Sequence, residues 1–259
     1  MSQSVERVVL WPEGEVPYYQ EGDCIPAMDV YPAEGAKGAV VICPGGAYAG
    51  KAAHEGEPIA RMFNEAGIAG CVLDYRIRPC HYDAPVNDAL RAVRMLRSRG
   101  YEKVAVIGFS AGGHLACSAA TLYGSACLKE GDAVDAYSSR PDAFICCYGV
   151  TSFSSFRKQA SVGALLGARK DDWTLIRRFS AEMNVTGDTP PAFIWHTAED
   201  GAVSVEHALI LARALAFAEV PCEMHVFPCG GHGLGLAHRN AAAAQWAGLC
   251  QSWLHRLGF

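Results

Sequence analysis

No apolar run in this sequence approaches the ~20 residues that a membrane-crossing helix needs. Stretches such as AFICCY at 143–148 fall far short of that length. No long block of one charge occurs either: 22 lysines and arginines stand against 27 aspartates and glutamates, a formal net charge of −5. The basic footprint of a nucleic-acid-binding protein is therefore missing. None of the eleven cysteines forms a Cys-x-x-Cys pair, so no zinc site or other metal is expected. Several (Cys43, Cys71, Cys146, Cys147) sit inside apolar runs and read as buried free thiols of a reducing cytoplasm. The opening MSQSVERVVLWPEGE has no apolar stretch behind a basic start and does not read as a signal peptide. The expected setting is the cytoplasm, with no membrane and no nucleic-acid partner.

What is present is an alternation. Short apolar runs at 39–43 (AVVIC), 68–75, 104–109, 144–148, 192–197 and 223–227 read as strands. Between and after them, helical spacing predicts helices over 56–66, 85–99, 111–123, 205–219 and 240–257. Ile59, Met62 and Phe63 share one face of the first, and Val86, Leu90, Val93 and Leu96 stripe the second. Trp246, Leu249, Trp253 and Leu254 do the same in the last, for packing. Strand–helix alternation predicts βαβ units, a mostly parallel, doubly wound α/β sheet flanked by helices. One domain over residues 1–259 is expected, since no linker or repeat divides the chain. The polar segment 151–191 interrupts the alternation and is expected to form a small cap.

Within the sequence VAVIGFSAGGHLA, Ser110 lies between a predicted strand and a predicted helix, with Gly108 and Gly112 on either side. In such a sheet, ligands bind at the carboxyl ends of the strands. A sharp strand-to-helix turn there would expose the serine hydroxyl at the start of a helix dipole. A phosphate-binding glycine turn is the other reading. It lacks both G-x-G-x-x-G and a Walker lysine.

A serine hydroxyl needs a base, and the base needs a third group to orient it. In this fold the order along the chain is serine, acid, histidine. FIWHT leads into AEDGAV, which places Asp200 in a loop after a strand, with Glu199 as the neighbouring alternative. MHVF leads into PCGGHGLG, which places His232 in the next such loop. Among the nine histidines, His196 and His225 lie inside predicted strands and are expected to be buried. His114 is expected to pack under the serine turn, whereas His54 and His81 remain candidates to line the site. An oxyanion requires preorganised N–H donors. Ala111 should supply one, and the CPGGAY loop (43–48) the other, from Gly46 first and Gly45 second.

Taken together, CPGGAY, VLDYR at 72–76, VAVIGFSAGGHLA, TPPAFIWHTAED at 189–200 and FPCGGHGLGLA at 227–237 give the chain a family resemblance. It resembles the α/β-hydrolase esterases related to acetyl xylan esterases and the HGGG-type lipase/esterase group, BD-FAE-like. The resemblance implies a serine hydrolase with Ser110, Asp200 and His232 as triad and Tyr48 lining the acyl pocket. It also implies a structural pairing of Arg76 with Asp88 beneath the site. The substrate implied is a short acyl ester, acetyl first, on a small sugar, with no cofactor. Departures are Cys43-Pro44 where lipases have His-Gly, Ala47 in place of a third glycine, and Ser204 in place of a proline.

Overall fold

The computed structural model describes residues 4–124, 131–156 and 160–259. Its strands are β1 (Glu6–Val9), β2 (Ala27–Tyr31), β3 (Gly38–Cys43), β4 (Ala69–Asp74), β5 (Lys103–Phe109), β6 (Ala143–Cys147), β7 (Ala192–Thr197) and β8 (Cys222–Phe227). The α-helices are α1 (Glu57–Glu65), α2 (Ala84–Ser98), α3 (Ala111–Leu122), α4 (Ala160–Leu166), α5 (Trp173–Arg178), α6 (Glu206–Phe217) and α7 (Trp246–Arg256). The eight strands form one sheet in the order β1-β2-β4-β3-β5-β6-β7-β8. From β4 to β8 every pairing is parallel, whereas β1–β2 and β2–β4 are antiparallel. This is the α/β-hydrolase arrangement.

The continuous apolar runs have a simple cause. The central strands are covered on both faces, so each is buried along its whole length in β3, β6 and β7. Successive residues of β3 serve opposite layers: Val41 packs with α2 and α3, while Val40 and Ile42 pack with α1 and α7. Each fully buried Val or Ile contributes about 1.5–3 kcal/mol of burial free energy. β8 is an edge strand and only half-buried. His225 on it is therefore partly exposed and pairs with Glu223 at 3.1 Å, not buried as its strand position suggests.

The antiparallel pair β1–β2 is not anticipated by the sequence pattern. β1 is four residues long and mostly exposed, so it carries no apolar run to betray it. The segment 151–191 forms α4, α5 and short 3-10 turns, with residues 157–159 outside the described part. Val162, Leu165, Leu166, Leu175, Ile176 and Phe179 pack it against the main core.

Register sets the site. Cys43 pairs with Gly108, Phe109 with Cys147, Cys147 with Trp195, and Thr197 with Phe227. The loops that follow β3, β5, β6, β7 and β8 thus leave the sheet along one edge. The β5–α3 crossing is unusually tight. A Cβ on Gly108 would lie 1.8 Å from the carbonyl oxygen of Gly112, and one on Gly112 would lie 1.9 Å from that of Cys43.

Below this edge, Arg76 and Asp88 are fully buried and paired. Arg76 Nη2 donates to Asp88 Oδ1 at 2.6 Å, Nε reaches both carboxylate oxygens, and the Arg76 backbone N–H donates to Oδ2 at 2.9 Å. The pair ties the end of β4 to the interior of α2.

Two outcomes follow from this packing. Asp88→Ala strips the guanidinium of its main counterion and should cost roughly 3 kcal/mol or more. An unchanged urea midpoint would contradict that. Gly112→Ala forces backbone against backbone and should cost about 1–3 kcal/mol or more through overpacking. A variant that melts with the parent would show that the crossing tolerates a methyl group.

Candidate active site

Ser110 makes the turn from β5 into α3 with φ 54° and ψ −117°, a conformation that L residues rarely adopt. Its backbone is pinned on both sides. Its N–H donates to Cys147 O at 3.0 Å, and its carbonyl accepts from His114 N–H at 3.1 Å and Val150 N–H at 3.2 Å. The hydroxyl is left at the sheet edge over the start of α3.

His232 and Asp200 converge on that hydroxyl. His232 Nε2 lies 2.7 Å from Ser110 Oγ, and His232 Nδ1 lies 2.7 Å from Asp200 Oδ2. A carboxylate only accepts, so Nδ1 carries the proton and Nε2 accepts from the serine. Asp200 is anchored by its own loop: Oδ1 accepts from the N–H groups of Ala202 and Val203, each at 2.9 Å. His196 is buried and donates Nε2–H to Val203 O at 2.9 Å, with Asp200 Oδ2 3.4 Å away. Burial opposes ionisation of Asp200, but hydrogen bonds from His196, His232 and the two backbone N–H groups outweigh it and hold its carboxyl well below the usual range. Glu199, the neighbouring acid, instead accepts from Gly230 N–H at 3.3 Å.

The CPGGAY loop crosses in front of Ser110. Gly46 has φ 139°, and a Cβ there would lie 2.3 Å from Gly50 O, so the curl requires glycine. Among the described residues, no group accepts a hydrogen bond from the N–H of Gly46 or of Ala111. Gly45 differs: its N–H donates to Glu55 Oε2 at 2.7 Å. That corrects the second choice of oxyanion donor, because a buried carboxylate already holds this N–H. Tyr48 is a second correction. The chain curls through left-handed conformations at Ala47 (φ 53°) and Tyr48 (φ 56°), and the ring ends up in the core. It is 1% exposed, and its hydroxyl bonds His114 Nδ1 at 2.7 Å, so it supports the turn from below instead of lining the cavity at Ser110. His114 is held from its other side, with Nε2–H donating to Phe179 O at 2.8 Å.

A cavity of about 400 Å³ opens onto Ser110 and His232 and is walled by Gly46, Val150, Ala160 and Val203, among others. His54 lines it and meets Gly233 O through Nε2 at 2.9 Å, whereas His81 lies elsewhere, stacked on Tyr18. Two residues of this site escape sequence reasoning. Glu55, 2% exposed, sits in a polar HEGE stretch that looks solvent-facing. Tyr148 ends an apolar run and looks like core, yet its ring stands edge-on to His232 at 5.2 Å. Among the described residues, no three His, Cys, Asp or Glu side chains gather as a candidate metal site. Likewise, no helix there is long and apolar enough to cross a membrane.

The BD-FAE family model matches residues 28–215, a span that holds Ser110 and Asp200 and stops short of His232. The chain is 34% identical over 93% of its length to endo-1,4-beta-xylanase B of Butyrivibrio fibrisolvens, and 29% identical over 76% to an acetylxylan esterase of Xylanibacter ruminicola. It spans only 40% and 41% of those two proteins. An acetyl ester-xyloside bifunctional hydrolase from Caldicellulosiruptor lactoaceticus superposes with a TM-score of 0.92 at 37% identity, covering 98% of this chain and 97% of that one. The chain belongs to the BD-FAE family, as an α/β-hydrolase-fold enzyme of the serine ester hydrolase class.

Proposed function

We propose that this chain removes short acyl groups, acetyl first, from small carbohydrates such as acetylated xylo-oligosaccharides, with Ser110, His232 and Asp200 as its triad. The observation that carries the reading is the unbroken hydrogen-bonded line from Ser110 Oγ through the His232 ring to Asp200, at 2.7 Å for each link. His232 Nε2 takes the proton as Ser110 Oγ attacks the ester carbonyl. Asp200 holds the ring in the required tautomer and stabilises the imidazolium. The N–H groups of Gly46 and Ala111 receive the oxyanion, at the start of α3 where the helix dipole favours negative charge. His232 then gives its proton to the leaving alcohol. Water, activated by the same ring, releases the acid from the acyl-enzyme.

Support for the substrate comes from two sides. The similar proteins are named for xylan, acetylxylan or acetyl ester-xyloside substrates. Ala160 and Ser161 of the 151–191 segment line the cavity beside Ser110, which suits that segment as a cap over the acyl group.

The test is an acyl-length series, p-nitrophenyl acetate, butyrate and octanoate beside acetylated xylose, with the parent and Ser110→Ala. Activity should be highest on acetate, extend to the sugar and fall about a thousandfold or more in the variant. A maximum on octanoate would overturn the substrate. A fully active Ser110→Ala would overturn the triad. Turnover of formamides or peptides with no ester hydrolysis would move the reading to another hydrolase of this fold.

A further inference from the structure

Three loops meet behind the catalytic line, and a buried acid joins them. Glu55 Oε2 accepts from Gly45 N–H at 2.7 Å, and Oε1 accepts from Tyr148 O–H at 2.7 Å. Tyr148 Oη in turn accepts from Gly235 N–H at 2.8 Å. Gly45 follows β3 and adjoins Gly46, Tyr148 follows β6, and Gly235 lies in the loop that carries His232. Glu55 and Tyr148 are 2% and 1% exposed. His54 Nε2 lies 3.7 Å from Glu55 Oε1.

We propose that Glu55 and Tyr148 are positioning residues that fix the distance between the oxyanion loop and the His232 loop. The inference rests on the triad reading above. Both carboxylate oxygens of Glu55 are already occupied by short hydrogen bonds, so the side chain holds groups in place and is no base. Burial, and then the charge of Glu55, push the Tyr148 hydroxyl well above its ordinary pKa, so it stays a donor. The ring of Tyr148 adds a steric stop: it stands edge-on to the His232 ring at 71°. A Cβ on Gly45 would come within 2.6 Å of Phe109 O, 2.8 Å of Glu55 Oε2 and 3.0 Å of Ser110 Cβ, so this loop packs closely against the carboxylate and the serine turn. Small shifts of an oxyanion donor or a base are felt mainly in the transition state, so losing the link should act on kcat and spare KM.

The experiment compares the parent, Glu55→Gln, Tyr148→Phe and the double variant on p-nitrophenyl acetate. Rates are expressed per active site titrated with a fluorophosphonate, so that misfolded protein does not count. Tyr148→Phe keeps the ring and its packing, and so remains informative if Glu55→Gln folds poorly. Each single change should lower kcat about tenfold, the effect of roughly one buried hydrogen bond, with KM within about twofold. The double variant should be little worse than the weaker single, because both changes cut one link. Full kcat in Tyr148→Phe, a change confined to KM, or losses that multiply in the double variant would each overturn the proposal. If Ser110→Ala also kept its rate, the triad reading would fall first, and that result is separate from these.

Discussion

At Ser110 the chain passes from a strand to a helix within a single residue, and much of the site depends on that turn. The backbone accepts φ 54° there because hydrogen bonds to Cys147, His114 and Val150 hold it. The crossing closes only because Gly108 and Gly112 carry no side chain where carbonyl oxygens of the neighbouring backbone pass. Strain of this kind costs on the order of 1–3 kcal/mol and persists only where packing over-determines it. Here the surrounding packing is a fully buried strand, a helix seated on it, and the His114–Tyr48 pair below.

The rest of the site is brought to that turn by register. Because β5, β6, β7 and β8 run parallel with aligned ends, their following loops deliver Ser110, Tyr148, Asp200 and His232 to one edge. Hydrogen bonds within and between these loops then satisfy their polar groups. Asp200 binds its own backbone, Glu199 holds Gly230, and Glu55 holds Gly45. The two buried carboxylates of this site, Asp200 and Glu55, are thus hydrogen-bonded, which offsets the cost of burying them. The electrostatic cost of burying Asp200 is offset locally, leaving His232 one partner on each side.

Much of this was legible in the sequence, for physical reasons that differ from residue to residue. Strands such as AVVIC and AFIWHT show themselves because burial on both faces demands unbroken apolar runs. Ser110 and Asp200 show themselves because each follows such a run, and His232 because it lies in the loop after the next strand; the structure brings those three side chains into contact. β1 stays hidden because a short, mostly exposed strand has no pattern to display, and the buried β2 because its five residues, AMDVY, are broken by an aspartate. The place that the resemblance implies for Tyr48 fails because two left-handed residues in succession turn its ring into the core. Gly45 and Gly46 look equivalent in the sequence, and only the acid ten residues on separates their roles. Glu55 itself is invisible for the same reason: a glutamate in a charged stretch is normally solvated, and its burial depends on contacts with Gly45 and Tyr148, far apart along the chain.

The central claim is that Ser110 is a nucleophile activated by His232. A fluorophosphonate reagent reacts with a serine only when such a base draws off its proton, and peptide mass spectrometry locates the adduct. The account predicts one equivalent of label on Ser110 in the parent and almost none in His232→Ala. Label on another residue, or equal labelling of Ser110 without His232, would contradict it.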